Sequence, residues 1–185
     1  GLVPMASMGL DVRRLLEEAA RMVASCDALV PPSANPGAQL GIALGVLATQ
    51  CGRDKVTILC SPEMESVGAW LEQLIAESTG KNGKALIPVD REDIGSPSVY
   101  GNDRVFVHLH LSGSDDGGEA LAELQEAGHP VIRISIEDSY QLGQLFFLWE
   151  FAIAVAGSVM GVNPFDQPDV QSAKDRTGAI LKSLG

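Results

Sequence analysis

Basic residues are scarce in this sequence. It has 13 lysines and arginines against 24 aspartates and glutamates, which gives a formal net charge of −11 over 185 residues. The basic residues form no cluster. A protein that binds nucleic acid needs such a cluster to displace counterions, and an acidic surface repels anionic membranes. The composition therefore argues against nucleic-acid and membrane partners, and an anionic ligand would have to be held by local groups.

Cysteine is also scarce, and the usual cofactor motifs are missing. Cys26, Cys51 and Cys60 are an odd number without a CxxC pair, which favours reduced thiols in a cytoplasmic protein. The sequence has no GxGxxG motif, Walker loop or nucleophile elbow. His108 and His110 share one face of a predicted strand, but a metal site needs a further ligand, so we expect a structural role. We predict neither a metal nor an organic cofactor.

Apolar runs alternate with amphipathic segments along the chain. The patterns predict strands at 55–60, 84–89, 104–111 and 130–136, and helices at 12–26, 36–51, 62–79, 118–128, 141–161 and 168–184. Asn35 and Ser61 are the expected N-caps of the second and third helices. The most apolar segment, 145–161, carries Glu150 and is short for a membrane span, so we predict a buried helix. The chain is therefore expected to be one α/β domain with a mostly parallel sheet, whose ligands bind beyond the carboxyl ends of the strands.

A first candidate site lies in the segment WLEQLIAESTGKNGK. Gln73 and Glu77 are four residues apart, so they share one helix face. Glu77 comes near the predicted helix C-terminus, where the helix dipole disfavours negative charge, and such a carboxylate is suited to accept a proton. The alternative from spacing alone is a solvated glutamate beside Lys81.

A second candidate site lies in the segment GVNPFDQPDVQSAK. Gln167 and Lys174 are seven residues apart, close to two turns at about 3.6 residues each, so Lys174 could meet a substrate oxygen or an anion. The alternative is an exposed helix lysine behind a proline-led cap. Separately, Arg104 stands at the base of a predicted strand, where it could pair with a phosphate or with Asp103.

Four segments resemble one family of enzymes. NPFDQPDVQSAK resembles the C-terminal signature of glucose-6-phosphate isomerases, and AESTGK resembles the ESxGK segment of the same family. GLVPMASMGLD resembles the stretch that follows the family's GGR(F/Y)S motif. LGQLFFLWEFAIAVAGSVMGVNPFDQP is most similar to the isomerase part of bacterial transaldolase–isomerase fusions. These matches fall in order and cover nearly the whole chain.

The resemblance implies a fold, a reaction and roles for particular residues. The fold would be a three-layer, flavodoxin-like sugar-isomerase (SIS) domain with a five-stranded parallel sheet, and the reaction the interconversion of glucose 6-phosphate and fructose 6-phosphate. Glu77 matches the base that moves a proton between the first two carbons through an enediol. Lys174 matches the lysine that assists ring opening, while Gln73 and Gln167 match glutamines that contact the substrate or intermediate. The resemblance also implies a reaction without metal or organic cofactor. Apolar surface left exposed by a missing half would favour a homodimer.

The chain departs from the family pattern in two places. Where the family has an NGQH segment whose histidine opens the sugar ring, this chain has GNDRVFVHLHL, and Arg104 falls at the histidine position. Arginine cannot act as a neutral proton acceptor, so Arg104 is expected only to bind substrate. The phosphate loop and the GGRFS arginine belong to the family's first half and are absent from this chain. Residues 1–185 are therefore expected to form a C-terminal domain, in which 1–11 continue a missing upstream half.

Three functions follow from these observations. The first is the C-terminal half of a glucose-6-phosphate isomerase that is inactive without its upstream half. The second is a non-catalytic SIS module that binds or senses sugar phosphates, and the third is a purely structural partner domain. A proton-shuttling glutamate favours the first, since a binding module does not need one, whereas the missing phosphate loop favours the second.

Overall fold

Four parallel strands form the sheet at the centre of this computed structural model. The structure describes residues 1–114 and 117–184, with the side chains of 169–172 and 184 left aside. The strands are β1 (Lys55–Cys60), β2 (Ile87–Asp90), β3 (Arg104–Leu111) and β4 (Val131–Ile136). The helices are α1 (Leu2–Ser7), α2 (Val12–Ser25), α3 (Pro36–Gln50), α4 (Glu65–Thr79), α5 (Gly118–Glu126), α6 (Leu142–Met160) and α7 (Pro168–Leu184).

The sheet has the strand order β2-β1-β3-β4, and every neighbouring pair is parallel. Helices cover both of its faces, so the predicted α/β class with a parallel sheet is confirmed. The fifth strand that the resemblance implied is not found among the residues that the structure describes. In this strand order, β2 and β4 are the two edge strands of the sheet.

The core is divided between the two faces of the sheet. On one face, α3, α4 and α6 pack against the side chains of Val56, Ile58, Val105 and Val107. On the other face, α5 packs on a smaller cluster formed by Leu59, Phe106, Leu121 and Leu124. Alternate residues of a strand point to opposite faces, which explains why neighbours in β1 and β3 belong to different clusters.

Helix α6 is the central helix of the larger core. By length and composition it could cross a membrane, but it packs against α2, α3 and α4, and Trp149 is completely buried. The predicted buried helix is confirmed. Small residues on α3 allow close approach, since a Cβ on Gly41 would collide with the carbonyl oxygen of Ala152 and one on Gly45 would lie 2.7 Å from Cβ of Val159.

Of the two predicted N-caps, Asn35 is confirmed and Ser61 is not. Asn35 caps α3 as expected, because its Oδ1 accepts a hydrogen bond from the backbone N–H of Ala38 at 2.9 Å. Ser61 does not cap α4, and that prediction is wrong. Its Oγ instead accepts from the backbone N–H of Leu111 at 3.4 Å, while residues 62–64 form a 3-10 turn before α4 begins at Glu65.

Strand β2 begins three residues later than predicted because a tight turn comes before it. Lys81 and Lys84 exchange backbone hydrogen bonds of 2.9 and 3.0 Å. Between them, Asn82 and Gly83 both have positive φ, at 55° and 73°. Asn-Gly is the preferred pair for such a type I′ turn. The turn lies between the end of α4 and the start of β2, at the amino ends of the parallel strands.

Candidate active site

Three of the predicted site residues come together where α4 ends. The side-chain Nε2 of Gln73 donates to Oε1 of Glu77 at 3.1 Å. The Nε2 of Gln167, which follows α6 in the chain, donates to the other carboxylate oxygen, Oε2, at 3.5 Å. One carboxylate is thus held by two amides from distant parts of the sequence. All three side chains are exposed, so the carboxylate is open to a ligand.

The last turn of α4 is fixed by Thr79, which is completely buried. Its hydroxyl donates to the carbonyl oxygen of Ile75 at 2.7 Å and accepts from the backbone N–H of Leu86 at 2.9 Å. The helix then ends at Gly80, where an added Cβ would lie only 2.8 Å from the carbonyl oxygen of Ala76. These contacts join the turn that carries Glu77 to the segment before β2.

Lys81 connects this turn to the loop that carries Gln167. Only 4% of Lys81 is exposed. Its Nζ donates to the carbonyl oxygens of Asn163, at 2.7 Å, and of Asp166, and it lies 3.2 Å from Oδ1 of Asp166. The neighbouring Lys84 donates to the carbonyl oxygen of Met160, at the end of α6, at 2.6 Å.

The loop after α6 is also ordered by its own contacts. Nδ2 of Asn163 donates to Oδ2 of Asp166 at 3.1 Å, and Oδ1 of Asn163 accepts from the backbone N–H of Phe165 at 3.1 Å. Gly157 of α6 permits the loop to pack closely, since a Cβ there would lie 3.1 Å from Cδ of Pro164. The loop therefore reaches Gln167 in a defined conformation.

Sequence reasoning missed the role of Lys81. The sequence pattern predicts Lys81 only as a charged neighbour of a solvated Glu77, whereas Lys81 is buried and binds the loop after α6. Glu77 itself is exposed, as that alternative supposed. The signal that could have identified Lys81 is the KNGK pattern directly after the helix, because an Asn-Gly turn between two lysines fixes the direction of both.

Lys174 is not brought to Glu77 by a contact in this structure. It lies on α7, seven residues after Gln167, or about 10 Å along the helix at roughly 1.5 Å per residue. Its side chain is exposed, and within the described part of the chain it has no hydrogen bond or ion pair. The residues of α7 from 173 to 183 are exposed, apart from the partly buried Gly178. The role of Lys174 stays a prediction.

Arg104 also lies apart from the group around Glu77. Its guanidinium pairs with the carboxylate of Glu92 and donates to Oγ1 of Thr57 at 2.9 Å. Thr57 belongs to the face of β1 that α5 covers, whereas α4 packs on the opposite face. The alternative partner Asp103 pairs with Lys55 instead, at 3.0 Å. The substrate-binding role of Arg104 therefore stays a prediction without a geometric link to Glu77.

A cleft of about 400 Å³ opens at the other end of the sheet, beyond the carboxyl ends of β1, β2 and β3. None of the five predicted site residues lines it. Its walls carry several carboxylates, of Glu65, Asp90, Glu92 and Asp93, with Arg91 among them. An acidic cleft of this kind repels a phosphate group. We therefore take the group around Glu77, and not this cleft, as the candidate site for a phosphorylated ligand. Ligands of parallel sheets more often bind at the carboxyl ends of the strands.

The other side chains of the cleft do not suggest a nucleophile or a metal centre. Burial raises the pKa of the Cys60 thiol to about 12, which keeps it protonated at neutral pH. His108, which lines the cleft, stacks on His110 with ring centroids 5.1 Å apart. Across the described ranges, His, Cys, Asp and Glu residues form no group of three or more that could hold a metal ion.

Comparisons with known proteins point to one family. No family model matches the chain. Among curated proteins, it is 26% identical over 224 residues to the glucose-6-phosphate isomerase of Parabacteroides distasonis, covering 100% of this chain and 50% of that protein. The glucose-6-phosphate isomerase of Heliobacterium modesticaldum is 27% identical over 225 residues, with the same coverage. The chain thus spans about half the length of the curated relatives it matches.

Solved structures show the same fold. A glucose-6-phosphate isomerase from Chlamydia trachomatis superposes with a TM-score of 0.64 and 18% identity, over 94% of this chain and 43% of that one. A hypothetical protein from Thermus thermophilus superposes with a TM-score of 0.77 and 18% identity, over 96% of this chain and 52% of that one.

The fold and the site together define a parallel α/β domain with an exposed carboxylate held by two amides at the amino edge of its sheet. Over its whole length the chain is similar to glucose-6-phosphate isomerases, and the resemblance drawn from its motifs is confirmed.

Proposed function

We propose that this chain is the C-terminal half of a glucose-6-phosphate isomerase, in which Glu77 is the catalytic base. The observation that carries the proposal is the contact of Glu77 with both Gln73 and Gln167. These residues come from the two segments that resemble the family's signatures, which are far apart in the sequence. If the two segments form one active site, their side chains must contact each other, and both glutamines bind the Glu77 carboxylate.

The reaction needs one proton moved between neighbouring carbons. In the open-chain form of glucose 6-phosphate, a carboxylate oxygen of Glu77 would take the proton from the second carbon. The electrons left behind would form an enediol with the neighbouring carbonyl. Return of a proton to the first carbon, with the hydroxyl proton redistributed between the two oxygens, would give fructose 6-phosphate. Such a step needs a base close to the carbon and polar groups near the developing negative charge on oxygen.

The two glutamines would hold the base in position. Each donates one N–H to a different oxygen of the Glu77 carboxylate, which restricts rotation of the carboxylate. Each amide keeps a second N–H and a carbonyl oxygen with which to contact substrate hydroxyls. An oriented base within reach of its proton is worth a large part of a catalytic rate enhancement.

Lys174 would assist ring opening, which must come before proton transfer. The proposal places its ammonium near the ring oxygen when α7 is packed against further protein. Arg104 is given no step here, because its guanidinium already pairs with Glu92.

The proposal includes an upstream half and a homodimer. The chain spans about half the length of the curated relatives it matches. The resemblance implies that the phosphate-binding loop belongs to the other half. An upstream domain that covers the exposed Glu77 would exclude water from the carboxylate and supply the phosphate contacts. A transaldolase in the same polypeptide and a cytoplasmic location stay predictions. The proposed chemistry uses neither metal nor cofactor.

A coupled assay that measures glucose 6-phosphate formed from fructose 6-phosphate tests the proposal. The chain would be assayed alone and together with its upstream half, and we expect turnover only for the combination. Glu77→Gln should lower kcat by about 10²–10⁴-fold, the usual contribution of a general base. Glu72→Gln is the matched control, since Glu72 is an exposed glutamate on the same helix. Equal activity of the two variants would remove Glu77 as the base.

The alternative function is a SIS module that binds sugar phosphates without turnover. The exposure of Glu77 is the observation that favours it, because an isolated, hydrated carboxylate is a poor base for abstracting a carbon-bound proton. Calorimetry with fructose 6-phosphate separates the two functions. Binding to the joined halves without any turnover would support the module, whereas binding with turnover would support the isomerase.

A further inference from the structure

We propose that Lys81 is a positioning residue that sets the contact between Gln167 and Glu77. This inference rests on the proposed function and adds a residue to its site. Lysine is almost never fully buried unless its charge is paired, and Lys81 is only 4% exposed. Such burial needs a physical reason, and the partners of its ammonium group supply one.

The ammonium of Lys81 directs all its donors to one loop. An ammonium has three N–H donors, and Lys81 has three oxygen partners, namely two backbone carbonyls and one carboxylate oxygen. The carbonyls belong to Asn163 and Asp166, and the carboxylate is also that of Asp166. Asp166 lies directly before Gln167 and Asn163 four residues before it, so the lysine holds the backbone that leads to Gln167.

A short covalent path connects Lys81 with Glu77. The two residues are four positions apart, and the segment between them contains Thr79, whose buried hydroxyl bonds fix it on both sides. After Lys81 comes the tight Asn-Gly turn, which fixes the direction of the chain again. Glu77 and the ammonium of Lys81 are therefore attached to the same rigid segment, and the loop is placed relative to both.

Lys81 and Lys84, the two lysines of the KNGK turn, bind different parts of the chain. Lys81 binds the part of the loop next to Gln167, whereas Lys84 binds the carbonyl oxygen of Met160 at the end of α6. Loss of Lys84 should affect the helix end and leave the residues before Gln167 bound. Loss of Lys81 should release those residues and let Gln167 move away from Glu77.

Nuclear magnetic resonance of side-chain amides in this chain tests the positioning directly. Glu77→Gln should shift the Gln167 amide resonances in the wild-type and Lys84→Met backgrounds, because the two side chains touch. In the Lys81→Met background, the Gln167 amide should no longer respond to Glu77→Gln. The Gln73 amide should respond in every background, since it shares a helix with Glu77. An unchanged response of Gln167 in Lys81→Met, or its loss in Lys84→Met, would overturn the proposal.

Kinetics of the chain joined to its upstream half give the second measurement. Lys81→Met should lower kcat at least about 10-fold with KM within about threefold, since small misplacement of catalytic groups costs up to roughly 10²-fold. Lys84→Met should leave both constants within about twofold. An inactive wild-type assembly would count against the proposed function, while the amide measurement would still decide the role of Lys81.

A second variant covers the case in which Lys81→Met does not fold. The Asp166 side chain is about half exposed, so Asp166→Asn should fold while weakening the partner of Lys81. The Gln167 amide should then respond to Glu77→Gln less than in the wild type. A full response in Asp166→Asn would contradict the proposal.

Discussion

Thr79 offers a sharp test of how the turn that carries Glu77 is held. Its hydroxyl makes two hydrogen bonds at once, one within α4 to the carbonyl oxygen of Ile75 and one from the backbone N–H of Leu86. Thr79 and Leu86 are both completely buried. Thr79→Val keeps nearly the same shape but removes the hydroxyl, so the N–H of Leu86 loses its partner in a place that water does not reach.

The expected cost can be worked out by comparison with a second threonine. Leaving a buried donor without a partner costs about 1–3 kcal/mol. Thr49 on α3 makes the same kind of bond within its helix, from Oγ1 to the carbonyl oxygen of Gly45 at 2.7 Å. Thr49→Val therefore loses the intrahelical bond alone, which is worth little because the carbonyl keeps its helical partner. The difference between the two variants isolates the bond from Leu86.

Urea denaturation followed by circular dichroism measures both variants. We expect Thr79→Val to lower the free energy of unfolding by about 1–3 kcal/mol and Thr49→Val to change it by roughly 0.5 kcal/mol or less. The slope of the transition should stay the same, so that only its midpoint moves. Equal effects of the two substitutions would refute the claim that Thr79 joins the end of α4 to the start of β2.

Two further predictions concern the packing of the core and the state of a thiol. Gly41→Ala should destabilise the protein by about 1–3 kcal/mol in thermal unfolding, because its methyl group collides with a carbonyl oxygen of α6; Gly178→Ala, where the space is open, should be neutral or stabilising. A neutral Gly41→Ala would show that α3 and α6 are not packed as described. Iodoacetamide at about pH 8 should alkylate the exposed Cys51 well before Cys60, whose pKa burial raises to about 12. Mass spectrometry of timed samples checks the order, and prior modification of Cys60 would contradict it.

Much of the fold follows from local patterns in the sequence. The alternation of apolar strands with helical segments is enough to predict a parallel α/β domain, because parallel strands need crossover connections. The glycines of α3 predict close packing, which Gly41 and Gly45 show against α6. The fifth strand, which is not found in the part of the chain that the structure describes, is implied only by the resemblance, whereas the residue pattern predicts four.

The location of the site could also have been predicted from topology. A crossover helix between parallel strands runs in the opposite direction to them, so its C-terminus must lie at their amino ends. Glu77 comes at the end of α4, and its group therefore lies away from the carboxyl ends, where the general rule places ligands. At the carboxyl ends of the strands the crossover helices begin, so the general rule concerns residues at helix starts. Glu77 lies in the last turn of its helix, at the opposite end of the sheet.

The KNGK pattern fixes the direction of Lys81, but no pattern in the sequence identifies the partners of its ammonium group. A lysine after a helix is normally solvated, and the partners of Lys81 are mainly backbone carbonyls more than 80 residues away. Any residue type has such a carbonyl, so no pattern in the loop reveals the contact. For Lys174 the reason is different, because the exposed α7 offers it no partner among the described residues.

Isotope exchange tests the central claim most directly. The joined halves would convert fructose 6-phosphate in deuterium oxide, and the glucose 6-phosphate formed would be analysed for deuterium at its second carbon. The account predicts incorporation in the wild type and in Glu72→Gln, and neither product nor exchange above background in Glu77→Gln. Undiminished product formation and deuterium incorporation in Glu77→Gln would contradict proton transfer through Glu77.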